Sequence, residues 1–298
     1  MTAIMSCAAS TSGKPREGMA VVDCIVKLGG SALTQKGQLE TIRPDGLRSA
    51  AVIVKRLYAE GKSCIVVHGA GSFGHFQAKD YGVSKGIVGH SPAEMDHLRQ
   101  GLCLTRLSVT KLNHLVTEQL VKEGVAAVGI SPFGAWKMSG RQVVRAGFEA
   151  VKDSLISGYV PVLHGDCALD AGQHCCILSG DTIIEVLSKE FSPKQVVFLT
   201  DVDGIYDRPP NCPGAQLLNS ITVSLSGHLE PVVTTSTLAH DVTGGAGLKI
   251  RTAVSIVTQS QGEVRVLICK LGSPGAEKAC LQGEIGPGEG TRFVLAAS

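Results

Sequence analysis

The feature that most constrains this chain is a recurring order: a short aliphatic, β-branched run, then a glycine-rich turn, then a helical pattern. The runs are VVDCIVKL (21–28), CIVVH (64–68), VAAVGI (125–130), YVPVLHG (159–165), QVVFLT (195–200), VRVLIC (264–269) and RFVLA (292–296). Each is apolar at successive positions rather than at alternate ones, so each reads as a strand buried on both faces. Helical spacing of apolar residues fills 45–61, 93–124, 179–191 and 246–259. Strand alternating with helix predicts an α/β fold, a largely parallel sheet covered on both sides by helices.

No internal repeat and no Pro/Gly linker divides two cores, so residues 21–298 read as one domain. Residues 1–20, small, Ser-rich and nearly free of acid, read as a flexible tail rather than an organelle transit peptide. The stretch DRPPNCPGAQLLNS (207–220) reads as a protruding loop or hairpin, and the long helical pattern at 93–124 is open to a kink near Gly101 or to a partner surface.

Composition removes several function classes. Lys and Arg number 28 against 26 Asp and Glu, a net charge of +2, so there is no bulk attraction to nucleic acid or an anionic membrane. Ten cysteines are present, none in a CxxC pair and several inside apolar runs, which argues against a protein-held metal centre or a disulfide framework. With no secretory signal and no apolar stretch near 18 residues, the expected compartment is the cytoplasm.

Glycine stands where strands hand over to helices, the place where open α/β sheets bind ligands. KLGGS (27–31) follows the first strand, HGAGSFGH (68–75) the second and HGD (164–166) the fourth; SGD (179–181) opens a helix, TDVDG (200–204) follows the fifth strand, and TGGAGLK (243–249) leads into another helix. One glycine turn is weak evidence, because tight turns need positive φ for geometric reasons alone. Turns that also carry lysine or histidine point to an anion, and helix-start N–H groups make phosphate the natural occupant. The spacing is neither GxxxxGK[ST] nor GxGxxG, so neither a Walker loop nor a dinucleotide fold is indicated.

Lys27 ends a buried strand, where its charge is costly unless an anion meets it. His75 lies just beyond a glycine nest, where an imidazole N–H can donate to phosphate. His68 ends its strand, and the residues do not choose between a structural role in the turn and a ligand contact.

KLGGS, HGAGSFGH, TDVDGIYDRPP and TGGAGLK, in that order and with a terminal GTRF strand, resemble the amino-acid kinase superfamily over residues 21–298. Within it, HGAGSFGH followed by AKDYG is similar to the isopentenyl phosphate kinase family; relatives that phosphorylate carboxylates lack the second histidine. The resemblance implies a three-layer α/β/α sandwich, a homodimer, ATP with Mg²⁺, and phosphorylation of isopentenyl phosphate to isopentenyl diphosphate, an isoprenoid-forming step. The acceptor then belongs to the N-terminal part and ATP to the C-terminal part. By the same resemblance Lys27, Lys36 and His75 are catalytic, and Ala70, Gly71, Ser72, His75 and Gly165 hold the acceptor, with Asp166 ordering its loop. ATP falls to Lys27, Gly29, Gly30, Ser31, Gly71, Asp181, Thr200, Asp201, Asp207, Gly245 and Lys249. Ala70 stands where many members carry glycine. The leucine-rich helix around 98–107 is the expected wall of an apolar tail pocket. A carboxylate or carbamate kinase of the same superfamily, or a non-catalytic nucleotide sensor, stays open as an alternative.

Overall fold

The computed structural model describes residues 21–86, 91–210, 212–233 and 245–296. The N-terminal tail and the Thr243–Gly244 start of TGGAGLK lie outside them. In chain order the first half carries β1 (Cys24–Leu28), α1 (Gly30–Leu33), α2 (Pro44–Ala59), β2 (Cys64–His68), α3 (His75–Asp80), α4 (Pro92–Lys122), β3 (Ala127–Gly129), β4 (Lys137–Ser139) and β5 (Gln142–Arg145). The second half carries α5 (Glu149–Ile156), β6 (Val160–His164), β7 (Asp166–Asp170), β8 (His174–Leu178), α6 (Gly180–Phe191), β9 (Gln195–Thr200), β10 (Ser220–Val223), β11 (Leu229–Glu230), α7 (Gly245–Gln259), β12 (Arg265–Lys270), α8 (Pro274–Gln282) and β13 (Thr291–Leu295).

Nine strands form one sheet in the order β11-β10-β13-β12-β9-β1-β2-β6-β3. The run from β12 to β3 is parallel throughout, and β13 turns antiparallel against β12. Successive residues of a strand enter opposite cores, which is why these strands read as continuous apolar runs. On β1, Ile25 joins one cluster while Cys24, Val26 and Leu28 join the other; on β9, Val196 and Phe198 face one way, Val197 and Leu199 the other. Helices α5, α6 and α7 supply the first cluster and α2, α4 and α8 the second. The result is the α/β/α sandwich expected from the strand pattern.

A second, four-stranded sheet, β5-β4-β7-β8, was not indicated by the periodicity, because its strands are short and partly polar. Asp170 holds it by accepting the N–H groups of Gly140, Arg141, Gly172 and Gln173 at 2.7–3.2 Å. The 207–220 stretch does fold back on itself, with Tyr206 bridged to Leu217 and Asp207 N–H donating to Gln216 O at 3.1 Å.

Helix α4 starts on a capping box, Ser91 with Glu94, and Pro92 in its first turn. It buries Leu98, Gly101, Thr105, Ser108, Val109, Leu112, Asn113, Val116 and Leu120, a stripe at three- and four-residue spacing. It is unbroken at Gly101, so the expected kink is replaced by a different use of glycine. A Cβ at Gly101 would overlap Tyr81 Cβ and lie 2.7 Å from its Cγ. Tyr81, just past α3, also stacks on His97 of α4 with ring centroids 4.6 Å apart. The gap at Gly101 therefore fixes α3 against α4. No described helix is long and apolar enough to cross a membrane.

Gly101→Ala tests that packing. Alanine improves helix propensity by about 1 kcal/mol, but Tyr81 Cβ cannot rotate away, and overpacking costs typically 1–3 kcal/mol. We expect a net loss of about 0–2 kcal/mol in urea denaturation; a stabilised variant would show that α3 yields freely.

Candidate active site

The glycine turns press first on each other. A Cβ on Gly30 would lie 2.7 Å from Gly71 Cα, and one on Gly71 would lie 2.7 Å from Gly30 O. Gly71 also has φ +53°, a conformation that favours glycine. KLGGS and HGAGS thus meet backbone to backbone at the ends of the adjacent strands β1 and β2. Thr34 ties them together: its hydroxyl donates to Gly30 O at 2.8 Å and accepts from Ser72 N–H at 2.9 Å.

Against this seam stand the charged groups. Lys27, 5% exposed, reaches Asp181 at the start of α6, Nζ to Oδ1 2.6 Å. Ser179 caps that helix by accepting Thr182 N–H at 3.0 Å. A Cβ on Gly180 would fall 3.1 Å from Lys27 Cε, so glycine lets the lysine pass along the helix start. Burial alone raises the Asp181 carboxyl, but the charges of Lys27 and Lys249 outweigh it and hold the group below the ordinary carboxylate range. Lys249, four residues into α7 from Gly245, is thereby linked to the same centre.

A second acid–base pair lies on the exposed side. Asp201, at the end of β9, accepts from Ser31 Oγ at 2.9 Å and pairs with Lys36 Nζ at 3.0 Å. Lys36 is 72% exposed and rides on a loop closed by the Thr34–Ile42 bridge. That loop docks on the HGAGS turn, where Glu40 N–H donates to Ser72 O at 3.1 Å and Thr41 N–H to Ser72 Oγ at 3.3 Å. Thr200 binds its own chain, donating to Val202 O at 2.6 Å. The N–H of Gly29 donates to Leu199 O at 2.8 Å, which fastens the first turn to β9.

Structure thus gathers Lys27, Gly29, Gly30, Ser31, Lys36, Gly71, Ser72, Asp181, Asp201 and Lys249 around the sheet's carboxyl edge. Asp207 sits in the folded-back loop instead, accepting from Gln216 N–H at 2.9 Å and pairing with Arg208. The Ala70 methyl is accommodated by a neighbouring glycine, since a Cβ on Gly74 would lie 3.1 Å from it. His75 opens α3 and is exposed. Among the described residues no group of three His, Cys, Asp or Glu side chains converges as a metal site.

Sequence reasoning passed over one network. Arg106 of α4 binds the buried Asp166 through Nε at 3.2 and 3.4 Å, and its Nη2 donates to Ser131 Oγ at 3.0 Å. The Arg106 guanidinium also lies 3.9 Å from the Phe133 ring centroid. Of this network the sequence marked only Asp166, in the HGD turn. Beside it, Leu98, Ala78, Val83, Cys167 and Cys175 form a small apolar cluster joined by Tyr81, Leu102 and Ile177. Leu107, within the helix stretch expected to line the tail pocket, is 69% exposed and is not part of that cluster.

Removing one member of the buried pair leaves an uncompensated charge. Asp181→Asn should cost about 3–5 kcal/mol in urea denaturation, whereas Lys27→Met with Asp181→Leu, apolar at both positions, should recover most of it. Because the folded carboxyl lies below its unfolded value near ~3.9, the pair's stabilisation is complete above that value. It is lost as pH falls through the lowered folded one, an acid limb the double variant should lack. Equal stability of the two variants would contradict the pair's burial.

The sequence model of the amino acid kinase family matches residues 24–269. Isopentenyl phosphate kinase of Arabidopsis thaliana is 38% identical, over 89% of this chain and 91% of its own. The enzyme of that name from Methanothermobacter thermautotrophicus is 34% identical, over 87% and 95%. A crystal structure of isopentenyl phosphate kinase superposes with a TM-score of 0.75 at 32% identity, covering 91% of this chain and 99% of that one. With the glycine seam, the buried Lys27–Asp181 pair and these relatives in agreement, the chain belongs to the amino acid kinase family and, within it, to the isopentenyl phosphate kinases.

Proposed function

We propose that this chain transfers the γ-phosphoryl group of ATP to isopentenyl phosphate, giving isopentenyl diphosphate and ADP, a step of isoprenoid biosynthesis. The observation that carries the proposal is the pairing of a buried lysine–aspartate centre with a histidine one turn beyond the adjoining glycine seam. A phosphate monoester with a second pKa near ~6 is largely dianionic at neutral pH, so its oxygen attacks the γ-phosphorus without a general base. The bond from phosphorus to the β,γ-bridging oxygen breaks, and its electrons leave on ADP. The protein must then relieve repulsion between two anions and hold them in line.

Lys27 and Lys249 flank Asp181 and supply that relief on the transferring group; Lys36 adds charge from the solvent side. Glycines 29, 30 and 245 with Ser31, Thr200 and Asp201 form the nucleotide side. Ala70, Gly71, Ser72, His75 and Gly165 form the acceptor side. With no converging acidic cluster among the described residues, Mg²⁺ belongs to the ATP phosphates and their waters. The apolar cluster between α3, α4 and the β7–β8 hairpin suits the isoprenyl tail. A cytoplasmic enzyme is supported by the described cysteines, all free thiols. The homodimer is part of the same reading, to be measured by light scattering.

The first test offers isopentenyl phosphate, dimethylallyl phosphate, acetylglutamate, glutamate and carbamate with Mg-ATP. Turnover of a carboxylate without isopentenyl phosphate would favour the other branch of the family, and ATP binding without any turnover would favour a sensor. In the same assay, His75→Ala should lower kcat/KM for isopentenyl phosphate about 10- to 150-fold, the worth of a charge-assisted hydrogen bond of roughly 1.5–3 kcal/mol. The KM for ATP should move far less, and parallel changes in both would remove His75 from the acceptor side.

A further inference from the structure

Two strands of the sheet end in the same dipeptide, His-Gly, and the fold sets the two endings side by side. His68 and His164 close the adjacent parallel strands β2 and β6 and face each other in register. Their rings stack with centroids 5.7 Å apart and planes inclined by 24°. Both are buried, at 0% and 1% exposure, so neither can touch solvent. Each does the same thing: His68 Nδ1 lies 3.0 Å from Gly69 O, and His164 Nδ1 lies 3.1 Å from Gly165 O.

A carbonyl oxygen can only accept, so Nδ1 carries the proton in both rings. On His68 this leaves Nε2 as an acceptor, and Asn113 Nδ2 stands 3.1 Å from it while also donating to Val162 O at 3.1 Å. The glycine N–H groups are committed too, Gly69 to Leu28 O and Gly165 to His68 O, each at 2.9 Å. With a glycine held at its N–H by one strand and at its C=O by a buried imidazole, the peptide plane that follows has no freedom left. In a trans peptide the next N–H points opposite to that C=O. Pinning the two carbonyls toward the rings therefore aims the Ala70 and Asp166 N–H groups the other way.

We propose that His68 and His164 are positioning residues that set the orientation of the two acceptor-side turns. The inference rests on the reading that those turns face the acceptor phosphate. A phosphate site must present N–H groups and keep carbonyl oxygens turned away, and two freely rotating glycine peptides could not guarantee either. The surroundings suit uncharged rings. Burial, with the neighbouring His164 and Lys27, pushes His68 down to about 3. His164 is also lowered by burial, against Asp166, whose Oδ2 is 3.9 Å away, and with Arg106 nearby. Asp166 in turn is clamped by Arg106 and Ser131, so the second turn is held from both ends.

Two measurements on the full chain test this. In ¹⁵N-histidine-labelled protein, long-range correlation spectra should show two of the nine histidines as Nδ1–H tautomers at pH 8, with His68 still neutral at pH 5. Each is assigned by its loss in His68→Asn or His164→Asn. An Nε2–H tautomer in either ring, or protonation of His68 by pH 6, overturns the proposal whatever the substrate proves to be. The second measurement is kinetic: Asn keeps an N–H donor near the Nδ1 position, whereas Gln moves it outward and Leu removes it. His164→Asn should keep kcat/KM for isopentenyl phosphate within about 3-fold, while His164→Gln and His164→Leu lose roughly 10- to 100-fold, with the KM for ATP within about 2-fold. If Asn fails as badly as Leu and Gln, or if both substrates suffer equally, the rings are core packing and not positioning groups. A parent protein that ignores isopentenyl phosphate would instead fail the functional reading, and the tautomer spectra would still decide the histidines.

Discussion

The structure turns on a lysine at the end of a strand that is otherwise sealed on both faces. Ile25 lies in one core and Cys24, Val26 and Leu28 in the other, yet Lys27 stands among them at 5% exposure. Desolvating an ammonium there costs several kcal/mol unless an opposite charge meets it, and the pair is at best neutral against an apolar replacement. Asp181 meets it at 2.6 Å from the first turn of α6. The carboxylate also gains from the N-terminal end of that helix. Stability therefore gives no reason to keep the pair, which is why the proposed function assigns it to chemistry at the edge of the sheet.

That edge is built from backbone rather than side chains. Gly30 and Gly71 come close enough that neither tolerates a Cβ, and Gly165 and Gly180 are nearly as tight, with a Cβ on Gly165 falling 3.0 Å from Gly180 N. Four chain segments from distant parts of the sequence thus converge within a few ångströms, which bulkier residues would prevent. A triphosphate and a monophosphate together bring a large negative charge, and short backbone segments let lysines and N–H groups approach it from several sides. Glycine here serves the packing of turns on one another first, and the approach of a ligand second.

Much of this was legible beforehand. The parallel sheet followed from doubly apolar strands, and the candidate turns that meet at its edge from glycine at strand ends, because both signals are local and strong. What escaped was non-local or short. β4, β5, β7 and β8 pair through polar turns tied by Asp170, which leaves no hydrophobic period to read. Gly101 looked like a flaw in a helix until Tyr81, twenty residues earlier, was seen to fill the gap. Arg106 carries no mark in the sequence of its bond to Asp166, sixty residues on. His68 could not be judged alone; only its neighbour across the sheet, in the same contact with its own glycine, gives it a part.

Lysine–aspartate pairing also explains how a cationic site can wait for its substrates without collapse. Lys27 has Asp181, and Lys36 has Asp201, so neither charge stands uncompensated in the protein as folded. The two pairs differ in kind. Lys27 is enclosed and gains most from its partner, since low polarity around it strengthens the attraction. Lys36 is mostly in water, where an ion pair is worth about 0–1 kcal/mol, and so it can exchange a carboxylate for a phosphate at little cost. On the proposed reading, an arriving nucleotide finds one lysine fixed in place and one free to turn toward it, the first setting where the reacting phosphorus lies and the second closing from the solvent side.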